Sequence, residues 1–321
     1  MSEVLSTAPD RLWQLARQAG VTGVVSRLPL SPDGRASVDY MDLLQLVKRY
    51  EDFGFRVEAF EPGYEWELDH VRIGTDKARR DEEIAACKRL IRHLGALGVP
   101  VLCYNFMARF NWVRTSLALP TRGGALVTGY DHACMKDAPL TDSGVVTEEQ
   151  LWENLQYFLR EVVPVAEQAG VRLALHPDDP PVSPIRGIAR IITSAAALRQ
   201  AIQLVPSEYS GITMCQGTLA AAGEAIPEKI LEFGGLNRLF YVHFRDIRGT
   251  AERFSETFHD DGQTNMAEAV RAYRKIGFHG PVRVDHVPTM AGEDNRTPGY
   301  ESMGRLFALG YLRGLLDGTN E

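Results

Sequence analysis

The chain has 321 residues, and 35 Lys and Arg against 42 Asp and Glu leave a formal charge of −7. That acidic balance excludes a general polyanion binder, because nucleic-acid affinity rests on Lys and Arg neutralising phosphates. No apolar run approaches the roughly 20 residues that cross a bilayer, and the start, MSEVLSTAPDRLW, lacks a basic segment followed by an apolar one. The expected protein is cytoplasmic and globular, with neither membrane nor nucleic acid as a partner. Its four cysteines, Cys87, Cys103, Cys134 and Cys215, form no CxxC pair, which argues against zinc-ribbon and disulfide frameworks. No GxxxxGK[ST] and no GxGxxG after a strand occurs, so the common nucleotide loops are missing.

In chain order, Val21–Arg27 is the first strand-like run. A helix over Tyr40–Phe53 follows Asp39 as N-cap and stops at Gly54. Phe55–Phe60 is a strand, Asp81–Leu97 a helix closed by Gly98, and Val99–Tyr104 the third strand. Residues 105–146 break the rhythm and read as a long insertion after that strand. Thr147-Glu148-Glu149-Gln150 forms a capping box that opens a helix to Ala169, closed by Gly170. Pro164 is expected to kink or split that helix. Strands follow at Val171–His176, Gly211–Cys215, Leu239–Phe244 and Pro281–His286, with a weaker one at Arg253–Phe258. Near-continuous apolar strands alternating with helices imply βα units and a parallel sheet buried on both faces. Seven or eight such units predict an α/β fold, a closed (β/α)₈ TIM barrel; an open doubly wound sheet is the lesser alternative. One domain over residues 1–321 is expected, with the insertion at the C-terminal face where barrel enzymes build their sites.

Polar residues interrupt the apolar strands at four places. His176 follows LAL, Cys215 ends GITMC, His243 follows YV, and Asp285 follows RV. In a barrel these strand ends converge on one mouth. Two imidazoles, a thiolate and a carboxylate suit a divalent transition metal, and ligand type alone does not choose among Zn²⁺, Mn²⁺ and Fe²⁺. Each residue also has a plain structural role: a satisfied histidine, a small buried cysteine, an aspartate capping a helix. Their shared location favours a site. His286 alternates to the other side of a strict strand, but a bent strand end brings it to the mouth. Asp178 and Asp179, before Pro180-Pro181, either serve the site or end the strand by turn chemistry. Arg109 and Arg114, with Asn105, Phe106 and Trp112, can bind an anionic polyol, or the aromatics simply pack. Tyr300 is an acid/base phenol or a structural loop aromatic. His259-Asp260-Asp261-Gly262 is a site loop or an ordinary turn.

The sequence resembles the D-mannonate dehydratase family, metal-dependent barrels related to the xylose-isomerase-like sugar enzymes. The segments that carry the resemblance are CYNFMARFNWVRT (Cys103–Thr115), LWENLQYFLREVVPVAEQAGVRLALHPDDPP (Leu151–Pro181) and RGIARIITS (Arg186–Ser194). TMCQGTL (Thr213–Leu219), VHFRDI (Val242–Ile247), RVDH (Arg283–His286) and TPGY (Thr297–Tyr300) continue it to the C-terminal region. The resemblance implies that His176, Cys215, His243 and Asp285 hold Mn²⁺ or Fe²⁺, and that His286 and Tyr300 are the acid/base pair, in unassigned order. It implies a small-molecule sugar acid as substrate, D-mannonate losing water to give 2-keto-3-deoxy-D-gluconate. Asn105, Arg114, Arg245 and Asp178 are the expected substrate contacts, and a homo-oligomer is compatible with the sequence. The stretch between Glu61 and Ile73, Asn265, and ESMGRLF after Tyr300 depart from the family pattern and are expected in mouth loops. An isomerase or epimerase, a dehydratase of another sugar acid, and a non-catalytic sugar binder are the competing readings.

Overall fold

The computed structural model describes residues 1–31, 33–63, 66 and 68–319. Its strands, in chain order, are β1 (Ser2–Leu5), β2 (Gly23–Ser26), β3 (Arg56–Phe60), β4 (Val101–Asn105), β5 (Ser116–Pro120) and β6 (Leu126–Asp131). They continue with β7 (Arg172–His176), β8 (Ser210–Cys215), β9 (Leu239–Phe244), β10 (Ile247–Thr250), β11 (Arg253–Glu256) and β12 (Val282–Val284). Eight of them close a barrel in the order β1-β12-β9-β8-β7-β4-β3-β2, with β1 pairing β2 in parallel. Helices separate the barrel strands, so the fold is the expected (β/α)₈ barrel. The other four strands form an antiparallel sheet, β10-β11-β6-β5.

Two strand expectations need correction. The eighth barrel strand is Ser2–Leu5, which the polar residues Ser2 and Glu3 disguise. Both are buried, Ser2 hydrogen-bonding Glu58 and Glu3 accepting from Arg305. Arg253–Phe258 is instead an accessory strand, paired with β10 across a two-residue turn. Only eight residues separate it from the end of β9, too few for a parallel crossover, which takes a dozen or more. The long insertion therefore follows the fourth barrel strand, β4, and supplies β5 and β6.

Local signals behave as their chemistry dictates. Thr147 and Gln150 make the reciprocal capping box of the helix Glu148–Ala169, and Gly170 ends it in a left-handed conformation. Pro164 does not split that helix; it faces solvent, where water can satisfy the carbonyl it leaves unpaired. Asn265, a departure from the family pattern, is exposed and caps the helix Met266–Lys275 through Glu268 N, so its role is structural. Tyr64, Glu65 and Glu67, within the departing stretch Glu61–Ile73, lie outside the described residues.

The core has two layers. A large cluster packs helices onto the outside of the strands. Within the barrel, Val25, Ala59, Val101, Cys103, Ala174, Phe240 and Tyr241 plug the interior. Register then stacks the polar residues above that plug. Asn105 lies beside His176, Cys215 beside His243, and His243 beside Arg283.

The HDDG segment is an ordinary structural loop. Asp260 pairs with Arg122 and Asp261 with Arg248. His259 is buried with Nε2 2.7 Å from the carbonyl of Phe244, and burial pushes its imidazole down to about 4. The folded ring stays neutral while the unfolded ring protonates near 6.5, so stability is full above that pH and falls as pH drops toward 4. Glutamine keeps a donor but does not titrate. Urea unfolding of His259→Gln should lose less stability between pH 7 and 5 than wild type, by on the order of 2 kcal/mol. Equal losses would remove His259 from the acid response.

Candidate active site

Three side chains converge on one point at the barrel mouth. The potential ligand atoms of His176, Cys215 and His243 all lie within 4.8 Å of one another. His176 Nδ1 is 2.6 Å from the Pro177 carbonyl, which can only accept, so that nitrogen carries the proton. Nε2 of the neutral ring is then a bare lone pair, 3.1 Å from His243 Nδ1. Asp285, immediately after β12, has Oδ2 3.5 Å from His243 Nδ1. It joins the group through His243 and Arg245, not as a member of the three-residue cluster.

The electrostatics of this cluster suit a cation. Burial raises the Cys215 thiol, but the neighbouring charges, the Arg245 guanidinium foremost, outweigh it and hold it well below the usual thiol range. Burial likewise raises Asp285, and the Arg283 guanidinium leads the charges that bring it well below the carboxylate range. Burial and Arg283 disfavour a charge on His243, yet Glu61 and Asp285 pull its affinity for a proton well above normal. The field that draws a proton there is the field a divalent ion would meet. A thiolate, a carboxylate and two imidazoles, one fixed by a backbone carbonyl, make a chemically fitting metal set.

Glu61 is a residue that sequence reasoning did not select. It follows β3 directly, lies 3.3 Å from His243 Nε2, and accepts Tyr241 Oη at 2.8 Å. Arg283 grips it with Nε at 3.1 Å and Nη2 at 3.0 Å. The polar residue that directly follows FRVEAF is the available signal, because the same strand-end argument that selects His176 applies to it.

One cavity opens onto these groups, with Arg27, Asn105, Trp112, His286 and Tyr300 among its walls. The ring of His286 contacts both Trp112 and Tyr300, with centroids at 5.2 and 5.3 Å. Tyr300 Oη is 3.3 Å from Asp285 Oδ1, and His286 Nε2 is 3.7 Å from the same oxygen. Burial and the charge of Asp285 push the Tyr300 phenol far above its ordinary range. The guanidinium of Arg27 has no ion-pair partner among the described residues.

Arg114, Arg245 and Asp178, expected as substrate contacts, are not among the residues that line this cavity. Arg114 Nη1 and Nη2 hold Asp179 at 2.7 and 2.9 Å, and Nη2 reaches Glu256 at 2.6 Å. Arg245 spans the same two carboxylates at 2.7 and 2.6 Å. All four side chains are almost completely buried. Two guanidiniums therefore neutralise two carboxylates in a closed quartet, which leaves neither arginine facing the cavity. Asp179, Glu256 and His286 also have the spacing of a metal site, but the two arginines already occupy that role. Asp178 is buried and accepts Ile192 N at 2.9 Å, tying down the loop after β7. Asn105 does line the cavity, with Oδ1 accepting Met107 N and Arg72 Nη2.

With this geometry in hand, comparison with known proteins is decisive. The family model of D-mannonate dehydratase (UxuA) matches residues 10–144 and 140–321. The chain belongs to the D-mannonate dehydratase family. Mannonate dehydratase 2 of Halalkalibacterium halodurans is 36% identical, with 87% of each chain covered. Mannonate dehydratase of Thermotoga maritima is 34% identical over 97% of this chain and 94% of its own. The crystal structure of mannonate dehydratase from Streptococcus suis serotype 2 matches with a TM-score of 0.88 at 31% identity, covering 99% of this chain and 93% of that one. A structure of L-ribulose 3-epimerase matches with a TM-score of 0.63 at 17% identity and shares the fold alone. In this D-mannonate dehydratase family member, two of the segments that carry the resemblance meet at Arg245. HPDDPP supplies Asp179, and TMCQGTL supplies Cys215 and Thr218. Gly217 of that second segment must be small, since a Cβ there would lie 2.8 Å from Arg245 Nη1.

Proposed function

We propose that this chain dehydrates D-mannonate to 2-keto-3-deoxy-D-gluconate, with His176, Cys215, His243 and Asp285 holding Mn²⁺ or Fe²⁺. The observation that carries the proposal is the His176–Cys215–His243 cluster, whose two histidines line one cavity with Asp285, His286 and Tyr300. Residues 1–321 act as one catalytic unit in this reading, the insertion completing the mouth. A metal bound there supplies Lewis-acid stabilisation of the negative charge that grows on the substrate carboxylate and 2-oxygen as the C2 proton leaves.

The chain's own groups divide the proton work. Tyr300 stays protonated at neutral pH because burial and Asp285 disfavour its phenolate; it is the donor to the departing 3-hydroxyl, which leaves as water. His286 is the acceptor of the C2 proton, through the Nε2 that lies near Asp285 and Tyr300. Trp112 packs against the His286 ring and helps hold it at the cavity wall. Arg27, exposed at the cavity wall, replaces Arg114 and Arg245 as the cation that meets the anionic substrate.

Chelation should abolish turnover of D-mannonate, and Mn²⁺ or Fe²⁺ should restore it; full activity in the presence of chelator contradicts the metal assignment. Arg27→Ala should raise KM for D-mannonate roughly tenfold with a smaller change in kcat, the signature of lost uniform binding. An unchanged KM removes Arg27 from recognition.

A further inference from the structure

We infer that Glu256, brought to the barrel mouth by the accessory sheet, is a positioning residue that keeps the proton on Nδ1 of His286 and leaves Nε2 to face the cavity. The consequence for turnover rests on the assignment of His286 as proton acceptor; the tautomer itself does not.

The geometry is specific. Glu256 ends β11, which is held in place by pairing with β6 and β10 and has no place in the barrel. One oxygen, Oε1, meets three donors: Arg114 Nη2 at 2.6 Å, Arg245 Nη1 at 2.6 Å and His286 Nδ1 at 2.8 Å. A carboxylate beside two guanidiniums is an acceptor only, so a bare Nδ1 at 2.8 Å would set two lone pairs against each other. The proton therefore sits on Nδ1. Arg114 Nη2 competes for the same nitrogen at 3.1 Å. Being donor only, it would favour the opposite tautomer, with Nδ1 bare and the proton on Nε2. Glu256 decides between these two states, and Arg114 is held to it and to Asp179 rather than released to His286.

His286 also needs outside support for its orientation. Its φ of 38° lies in the left-handed region, unusual for a residue with a Cβ. The hydrogen bond from a separate sheet, together with Trp112 and Tyr300 on the ring, fixes a side chain whose own backbone does not. This gives the accessory sheet a task in the site: it is the mount for the ring that faces the substrate.

The test uses the protein labelled with ¹⁵N-histidine, loaded with diamagnetic Zn²⁺ for the spectra and with Mn²⁺ for turnover. Long-range ¹H–¹⁵N spectra report which ring nitrogen carries the proton, and His286→Asn assigns the signals. The expected wild-type spectrum shows a protonated Nδ1 for His286. In Glu256→Ala the proton moves to Nε2 as Arg114 takes over Nδ1, and kcat on D-mannonate falls at least about 100-fold with KM little changed. Glu256→Gln, which keeps an acceptor oxygen, retains the Nδ1 proton and recovers part of kcat. In the His286→Asn background, Glu256→Ala costs little more, because both changes remove one function. A bare Nδ1 in wild type overturns the inference, as does a cycle in which the two losses multiply. If Glu256→Ala does not fold, the wild-type and Glu256→Gln spectra decide alone. A wild-type protein with the Nδ1 proton that leaves D-mannonate intact contradicts the function and sustains the positioning.

Discussion

Replacing Cys215 by alanine should strip the protein of its divalent metal and lower turnover of D-mannonate by roughly 10³-fold or more. Changes outside the ligand set already cost metal sites about 10–100-fold, and this one removes a ligand. Cys215 is fully buried at the end of β8, with Sγ 3.4 Å from Arg245 Nε and 3.2 Å from Thr218 Oγ1. Arg245 favours the thiolate there, and alanine removes the anion while leaving the guanidinium. Arg245 remains compensated by Asp179 and Glu256, so the fold should survive. Serine is the informative companion variant: it restores size but offers a hydroxyl that stays protonated, and it should bind metal nearly as poorly. Metal content by elemental analysis and a circular dichroism spectrum separate ligand loss from unfolding. Full occupancy with wild-type rates in Cys215→Ala would defeat the assignment.

Tyr300→Phe should reduce kcat by roughly 10²–10⁴-fold, the range expected when a positioned acid is lost, while metal content stays unchanged. The substitution deletes one oxygen and keeps the ring that packs on His286 and Trp112. That oxygen is 3.3 Å from Asp285 Oδ1, close enough to serve the site without being needed to build it. KM should move little, because the phenol acts on a departing hydroxyl rather than on the bound ground state. A kcat within twofold of wild type would return Tyr300 to a structural role.

How much of this was legible follows from what strand patterns can carry. His176, Cys215, His243 and Asp285 stood out because each is polar where an apolar run ends, and the barrel brings those ends together. Glu61 obeys the same rule one residue past β3, but it opens the stretch that departs from the family pattern, which masks it. Arg114 and Arg245 were visible as charges without their partners. Asp179 lies 65 residues from Arg114, and Glu256 lies 142, so nothing local marks either arginine as already satisfied. Arg27, at the end of the first strand-like run, carried no signal beyond its charge. Glu256 was hidden by the misplacement of its strand; read as barrel, β11 offered only polar alternation. Ser2–Leu5 was missed because its buried polar residues are paid for by partners on β3 and the C-terminal helix.

The central claim is that this site removes water from a sugar acid. Anaerobic incubation of Mn²⁺-loaded protein with D-mannonate, followed by mass spectrometry of the product, tests it most directly. The expected product is a 2-keto-3-deoxy acid lighter than the substrate by one water, formed only when the metal is present. A product of unchanged mass would contradict it, and would assign the same cavity and proton-transfer pair to an isomerase or epimerase.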